Sequence, residues 1–572
     1  MEKGSIFHLS DSIYSFPLSI NEIEIRFKVK KDDDITKVEL VYNDKYKFHE
    51  FVKYKELQKS FSDEVFDYYV ERIKLTDTRF AYVFRLTLKD GQTYYYSEEG
   101  ISKDYDITKG FYNFFQVSTI NEIDIVKVNK KIENRVFYQI FVDRFNKDSE
   151  ASNPRINIKW GEKVNSKTIA GGNLKGIINK IDYLKNLGVD ALYLTPIFKS
   201  PSNHKYDTVD YFKVSKDFGA NEDLRTLIEE VHKNNMIILL DGVFNHISNL
   251  SFFFKDVVKK GKASNYFDWF YIDGDKPSKN PLNYKTFAYC FDLPKLNLNN
   301  PEVQKYILKV GRHYAKDYKI DGFRLDVSDE IPHYFWIEFK KEMLKINEDF
   351  VLIGENWHNA GSYLNCGFEF DSIMNYSFLK ATLDFVAFKK INATEYKNRL
   401  VFLLMRYKTN VNFNLLNLLS SHDVDRFLSQ CNKNEDKFLI GYAILFMYIG
   451  VPCVYYGDEI GIDGGYDPLN RACFIWDESN WNFKIFSVIK KLIEIRKKEK
   501  INELEIDIQE KNNLFILKRF NDKKSVELIV NLSEENVQLD INKDILVSNN
   551  FINNTLKNEG FVLFKEETHY EK

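Results

Sequence analysis

The first 120 residues alternate apolar and polar side chains with a period of two. NEIEIRFKVK (21–30) and ITKVELVY (35–42) follow this pattern, which is typical of strands buried on one face. The same alternation returns after residue 500, in LEIDIQ, LFILKRF and VELIVNL. We therefore predict a β-sandwich-like domain at each end of the chain, over residues 1–122 and 499–572.

Between these regions, short apolar segments alternate with longer amphipathic segments. Several of the short segments are apolar on both faces, as the strands of a buried parallel sheet are. The eight strand candidates are VFYQIFV (136–142), DALYLTP (190–196), MIILLDGV (236–243), DGFRLDV (321–327), FVLIGEN (350–356), FDSIMN (370–375), NLLNLLS (414–420) and PCVYYGDE (452–459). This alternation predicts an α/β fold, a (β/α)8 TIM barrel over residues 123–498. The long step after the third strand predicts an irregular excursion over 247–300.

Polar side chains follow these apolar segments at the predicted C-terminal ends of the strands. They are Asp241, His246, Arg324, Asp326, Glu355, Trp357, His422 and Asp423. One such residue is typical of a helix N-cap, but the placement recurs on four strands. Since barrel enzymes carry their chemistry at this end, the recurrence favours an active site.

Three carboxylates at one barrel mouth indicate glycoside hydrolysis, which in retaining enzymes needs a carboxylate nucleophile and a protonated carboxyl group. Arg324 lies two positions before Asp326, so both side chains face the same way on a strand. The guanidinium favours an ionised Asp326, which suits the nucleophile. Desolvation between a buried strand and Trp357 would favour a neutral Glu355, which suits the general acid. The alternative for Arg324 and Asp326 is an internal ion pair that braces the barrel.

Composition argues against several other classes of protein. The net charge of −3 gives no strong field for nucleic acid or an anionic membrane. The five cysteines include no CxxC pair, so neither a disulfide framework nor a zinc site is predicted. The N-terminal residues lack a basic-then-apolar signal pattern, and the apolar runs are too short to span a bilayer. We therefore expect a cytoplasmic protein with no nucleic-acid or membrane partner.

Four short motifs resemble those of the α-amylase family, in the same order. They are DGVFNH (241–246), GFRLD (322–326), GEN (354–356) and SSHD (420–423). The resemblance implies Asp326 as nucleophile, Glu355 as general acid/base and Asp423 as the third acidic residue. It also implies substrate contacts from Asp241, His246, Arg324 and His422, joined by Trp357 near the acid. HKYDTVDY (204–211) resembles a further family loop, in which Tyr206 would stack on the sugar and Asp207 would support the site.

LPKLN (293–297) resembles the MPKLN of neopullulanases, cyclomaltodextrinases and maltogenic amylases. This narrower resemblance implies donor-side contacts from Asp467 and Arg471, no required cofactor, and homodimers formed through the N-terminal domain. It implies cleavage of α-1,4 bonds in cyclomaltodextrins, maltodextrins, pullulan or starch, with some transfer to sugar acceptors. The alternatives are an α-glucosidase or glucan transferase of the same family, and a non-catalytic glucan-binding relative.

The resemblance also raises the question of a structural calcium ion. The related enzymes often bind Ca2+ with an N-x-D cluster and a later GGD. This chain has FNKDSEASN (145–153), but its later motif is GGN. The candidate ligands are Asn146, Asp148, Asn153, Gly172 and Asn173. Because calcium prefers anionic oxygen ligands, the amide at Asn173 predicts a weakened site, and the alternative is a solvated polar loop.

Overall fold

The computed structural model describes residues 1–108, 113–148 and 153–567. Ten strands at the N-terminal end form two antiparallel sheets. They are β1 (Ser15–Ser19), β2 (Glu22–Lys30), β3 (Ile35–Asp44), β4 (Lys53–Leu57), β5 (Lys59–Ser62), β6 (Phe66–Lys74), β7 (Phe80–Leu88), β8 (Thr93–Ser97), β9 (Gly100–Ser102) and β10 (Phe115–Val117). One sheet has the order β1-β2-β6-β5, and the other has β4-β3-β7-β8-β9 with β10 also on β7.

The period-two pattern explains this domain. Ile23, Ile25, Phe27 and Val29 of β2 pack into one cluster with apolar side chains of the other sheet. The ladder of β2 with β6 keeps antiparallel register over nine residue pairs, and that of β3 with β7 also has nine pairs but shifts register between Ile35 and Lys37. The predicted N-terminal β-sandwich is therefore confirmed.

Eight parallel strands form the middle of the chain. They are β11 (Phe137–Ile140), β12 (Ala191–Leu194), β15 (Ile237–Gly242), β16 (Gly322–Leu325), β17 (Val351–Gly354), β18 (Ser372–Ile373), β19 (Leu416–Leu418) and β20 (Val451–Tyr455). A short hairpin of β13 (Phe198–Lys199) and β14 (Asp210–Val214) lies outside this sheet. The sheet order is β18-β17-β16-β15-β12-β11-β20-β19, and a parallel bridge between Met374 and Leu416 joins its two edges. The predicted TIM barrel is confirmed.

Helices lie between the strands and carry the chain back to the start of the next strand. They are α1 (Val142–Phe145), α2 (Leu174–Ile178), α3 (Ile181–Leu187), α4 (Asn221–Lys233), α5 (Phe252–Lys260), α6 (Pro301–Arg312), α7 (His333–Leu344), α8 (Gly361–Leu364), α9 (Tyr376–Thr382), α10 (Ala393–Arg406), α11 (Thr409–Asn412), α12 (Phe427–Gln430), α13 (Glu435–Met447) and α14 (Phe483–Lys498). None of the helices in the described ranges is both long and apolar enough to cross a membrane.

The excursion after the third barrel strand contains α5 and mostly irregular chain. Isolated bridges hold it together, including Phe270 with Leu296, and the bridge from His246 to Lys295 ties it to the barrel mouth. It ends where the Asn300 side chain accepts a hydrogen bond from Glu302 N and Pro301 begins α6. The Asn300 cap and Pro301 explain why the irregular excursion ends here. Asn is favoured as a helix cap, and Pro suits the first turn of a helix.

Six antiparallel strands form the C-terminal domain. They are β21 (Glu505–Lys511), β22 (Leu514–Phe520), β23 (Lys524–Asn531), β24 (Val537–Gln538), β25 (Asp544–Ile552) and β26 (Thr555–Glu567). Their order is β21-β22-β23-β26-β24, with β25 also pairing with β26. The predicted C-terminal β domain is present as one antiparallel sheet, and one face packs against the barrel core through Phe515, Leu517 and Leu528.

Candidate active site

Four carboxylates lie at the C-terminal ends of barrel strands. Asp241 is the second-last residue of β15, and Asp326 and Glu355 directly follow β16 and β17. Asp423 lies five residues after β19. The strand register places Asp241 beside Arg324 in the next strand. Parallel strands end at the same rim, so this register brings the side chains together.

Arg324 lies at the centre of the carboxylate cluster. Its Nη1 donates to Asp241 Oδ1 and Oδ2 at 3.0 and 3.1 Å, and to Asp326 Oδ1 at 2.9 Å. Its Nη2 lies 3.0 Å from Glu355 Oε2 and 3.7 Å from Asp423 Oδ2. One buried cation therefore faces four carboxylates, where the sequence predicted a single partner.

The charge balance of the cluster favours protonation. Burial raises the pKa of Asp326 well above its usual range, and the Glu355 and Asp241 carboxylates add to this while Arg324 opposes it. Burial, with Glu355, raises the pKa of Asp423 to about 7. Arg324 lowers the pKa of Asp326, the direction that the sequence predicted, while burial and the neighbouring carboxylates act in the opposite direction.

Glu355 receives a hydrogen bond on each oxygen. Val327 N donates to Oε2 at 2.9 Å, and Trp357 Nε1 donates to Oε1 at 3.1 Å. Val327 has φ +47°, an uncommon left-handed conformation for a β-branched residue. The Trp357 ring, 43% exposed, stacks on Tyr376 with centroids 3.7 Å apart. The indole thus acts on Glu355 as a donor, whereas the sequence predicted only an apolar neighbour.

Asp326 has one occupied and one open oxygen. Oδ1 accepts from Arg324, while Oδ2 has no hydrogen-bond partner among the residues that the structure describes. His246 Nε2 lies 4.0 Å from this open oxygen. Burial lowers the pKa of His246 to about 3, so its imidazole is neutral, and its ring stacks on Phe287.

Tyr206 and His422 form one wall of the site. Their rings are parallel within 2° with centroids 5.3 Å apart, and the Tyr206 hydroxyl bonds to His422 Nε2. Tyr206 also donates to Asp241 Oδ2 at 2.9 Å. Asp207 lies apart from the cluster, where it accepts hydrogen bonds from the hydroxyls of Ser200 and Ser202. Asp207 is thus held by its own loop, and its supporting role in the site stays a prediction.

Asp467 and Arg471 form an ion pair of 3.0 Å beside the cluster. Arg471 Nη2 lies 3.8 Å from Asp423 Oδ1, and Arg471 Nε donates to the carbonyl of His422. These contacts place the pair next to the third acidic residue. The structure therefore brings together every predicted site residue on the barrel strands and links Asp467 to them through Arg471.

Sequence reasoning missed two residues that set the site geometry. Tyr193 in β12 donates to Asp241 Oδ2 at 2.7 Å. Gln139 in β11 donates through its side-chain amide to His422 Nδ1 at 2.7 Å, which leaves the histidine proton on Nε2. Both residues look like ordinary members of apolar strands. The signal that could have found them is a hydrogen-bonding side chain within a strand that is buried on both faces.

Three of the five predicted calcium ligands, Asn146, Asn153 and Asn173, form hydrogen bonds within the protein. Asn173 Oδ1 accepts from Gly176 N at 2.7 Å as the cap of α2, and Asn153 Oδ1 accepts from Arg155 N at 2.9 Å. Asn146 donates to the carbonyl of Gly176. No group of three or more His, Cys, Asp or Glu that could hold a metal occurs within the described ranges. Calcium binding stays a prediction, and these contacts lower the expected affinity.

Comparison with known protein families agrees with the carboxylate site at the mouth of the barrel. The family described as "Alpha amylase, catalytic domain" matches residues 139–521, and "Alpha amylase, N-terminal ig-like domain" matches residues 1–121. The chain belongs to the α-amylase family of glycoside hydrolases.

The most similar relatives described here belong to one part of the α-amylase family. The cyclomaltodextrinase of Thermoanaerobacter pseudethanolicus (strain ATCC 33223 / 39E) is 40% identical over 500 residues, covering 87% of this chain and 86% of the relative. The intracellular maltogenic amylase of Bacillus subtilis is 36% identical over 506 residues, covering 87% and 85%. A solved structure of a cyclomaltodextrinase matches with a TM-score of 0.90 at 30% identity, covering 99% of this chain and 98% of the other. The protein is a glycoside hydrolase of the cyclomaltodextrinase and maltogenic amylase type. These relatives give no support to the α-glucosidase or transferase alternatives.

Proposed function

We propose that the protein hydrolyses α-1,4-glucosidic bonds of cyclomaltodextrins, maltodextrins, pullulan or starch with retention of configuration, and transfers some product to sugar acceptors. The observation that carries this proposal is the open Oδ2 of Asp326, held in place by Arg324 on the other oxygen. The cyclomaltodextrinase and maltogenic amylase relatives support the choice of α-glucans as substrate.

The first step forms a covalent sugar ester. Asp326 Oδ2 attacks the anomeric carbon while Glu355 delivers a proton to the glycosidic oxygen, and the bond between that carbon and oxygen breaks. Asp423 and the neutral His246 then bind ring hydroxyls, and Tyr206 stacks on the sugar face.

The second step releases the sugar. Glu355, now ionised, removes a proton from water or from an acceptor hydroxyl, whose oxygen attacks the anomeric carbon and frees Asp326. Two inversions return the original configuration. The Val327 and Trp357 hydrogen bonds hold the Glu355 carboxyl group in a fixed position for this step.

The test uses Asp326→Asn and Glu355→Gln with β-cyclodextrin, pullulan and soluble starch as substrates. We expect kcat to fall on the order of 1000-fold or more in either variant, and we expect no change in Glu348→Gln, an exposed acid outside the cluster. Maltose from β-cyclodextrin, panose from pullulan and an α-configured first product support the proposal. Near-wild-type turnover by either variant, or glucose released only from chain ends, contradicts it.

We further propose that the protein is cytoplasmic and homodimeric. The intracellular maltogenic amylase relative supports the location. For the dimer, the N-terminal domain exposes apolar side chains, among them Phe7, Leu9 and Val65, of a kind that interfaces cover. Analytical ultracentrifugation at micromolar concentration tests this, and a species of 67.7 kDa alone would contradict the dimer.

A further inference from the structure

Lys205 is an unusual residue in the loop between β13 and β14. It lies between His204 and Tyr206, and its side chain is completely buried. Its φ of +66° is left-handed, a conformation that is unfavourable for a non-glycine residue unless surrounding contacts compensate. A buried ammonium group in strained backbone needs an explanation.

The contacts of Lys205 lie beneath the loop. Its Nζ pairs with Asp217 Oδ2 and donates to the carbonyl of Ser202 at 2.5 Å. The ammonium also lies 4.9 Å from the centre of the Phe218 ring. Arg155 Nη1 donates to the same Asp217 oxygen at 2.7 Å, so two cations share this carboxylate. Removing the lysine charge would therefore still leave Asp217 neutralised.

The two neighbours of Lys205 point to the active site. His204 and Tyr206 stack with ring centroids 5.9 Å apart, and the Tyr206 hydroxyl reaches Asp241 and His422. Lys205, with its left-handed backbone and buried side chain, directly precedes Tyr206, whose hydroxyl reaches the carboxylate cluster. The placement of Tyr206 thus depends on the anchor below it.

We infer that Lys205 is a positioning residue for the reaction, whose buried ion pair with Asp217 holds Tyr206 against Asp241 and His422. This inference rests on the proposed α-glucan hydrolysis. Tyr206 touches the sugar ring that reacts, so a displaced loop weakens contacts that matter in the transition state. Loss of the Lys205 charge should therefore lower kcat more than it raises KM.

The test is Lys205→Met, which keeps the buried volume but loses the charge, assayed with β-cyclodextrin on protein of verified native circular dichroism. We expect kcat/KM to fall about 10-fold or more, mainly through kcat. The matched control is Lys213→Met, an exposed lysine on the neighbouring strand, which should be unchanged. If Lys205→Met does not fold, Asp217→Asn removes the partner instead, and we expect the same split between kcat and KM.

Combination with Tyr206→Phe separates positioning from general stability. If Lys205 acts through Tyr206, the double variant should be no slower than the slower single variant, because coupled residues are non-additive. Fully additive losses, or a lowered melting temperature with wild-type kcat/KM, overturn the inference alone. Absence of any wild-type sugar release overturns the proposed function and this inference with it.

Discussion

Asp423 offers the most direct test of the charge balance in the active site. Its side chain is 27% exposed, and burial raises its pKa from 3.8 to about 7. Below about pH 4 the folded and unfolded chains both carry the proton, so this group has no net effect. As pH rises from 4 to 7, the unfolded chain loses the proton while the folded chain keeps it. Stability therefore falls with rising pH, and the full cost is present above pH 7.

The size of this stability cost follows from the rise in the pKa of Asp423. A rise from 3.8 to about 7 corresponds to about 4 kcal/mol, but this is an upper bound. Solvent reaches a quarter of the side chain, and the proton is shared within the cluster, so we expect about 1–2 kcal/mol. Asp423→Asn should remove this cost and stabilise the folded protein above neutral pH, while abolishing most of the activity.

The assay is the melting temperature of the barrel transition at pH 8 and at pH 4.5. We expect Asp423→Asn to melt about 1–3 °C above the wild type at pH 8 and within 1 °C of it at pH 4.5. Asp463→Asn, at an exposed acid paired with Lys433, is the control and should show no gain at pH 8. A variant that is destabilised equally at both pH values, or more stable only in acid, would refute the reasoning.

Of three further predictions, two concern the same site and the third concerns the candidate calcium ligands. Arg324→Lys should lower kcat on the order of 100-fold or more, because an ammonium group cannot reach four carboxylates in the fork geometry of arginine; activity within 10-fold of wild type would contradict this. Trp357→Phe keeps the stack on Tyr376 but loses the donor to Glu355, so kcat should fall about 3–10-fold with little change in KM; a change confined to KM would show that the ring only binds sugar. Dialysis against EDTA should shift the melting temperature by less than about 2 °C, since Asn173 Oδ1 already caps a helix; a larger loss restored by Ca2+ would establish a structural calcium site.

Much of the fold was predictable from hydrophobic periodicity. The buried strands stood out because they are apolar on both faces, as β12 and β15 are. Strand ends were less predictable. The segment 136–142 was assigned to one strand, but β11 ends at Ile140 and α1 begins at Val142. Both conformations bury these apolar side chains, so the pattern does not distinguish them.

The site was predictable in its membership but not in its electrostatics. Spacing along one strand correctly paired Arg324 with Asp326. The contacts of Arg324 with Asp241 and Glu355 come from neighbouring strands, and only the closed barrel makes them. Their combined charge decides which carboxylates hold protons. A one-dimensional pattern therefore located the residues but did not reveal that neighbouring carboxylates oppose the effect of Arg324 on the pKa of Asp326.

The closure of the barrel has a consequence for its motions. Its two edges meet at β18 and β19, strands of two and three residues joined by the bridge from Met374 to Leu416. The amide of Asn375, bonded to Leu416 O at 2.8 Å, lies on this junction. Local opening should start there, because few hydrogen bonds have to break. Since Met374 Sδ also accepts from Arg324 Nε, we expect an opening of this junction to break a contact of the cation at the centre of the active site.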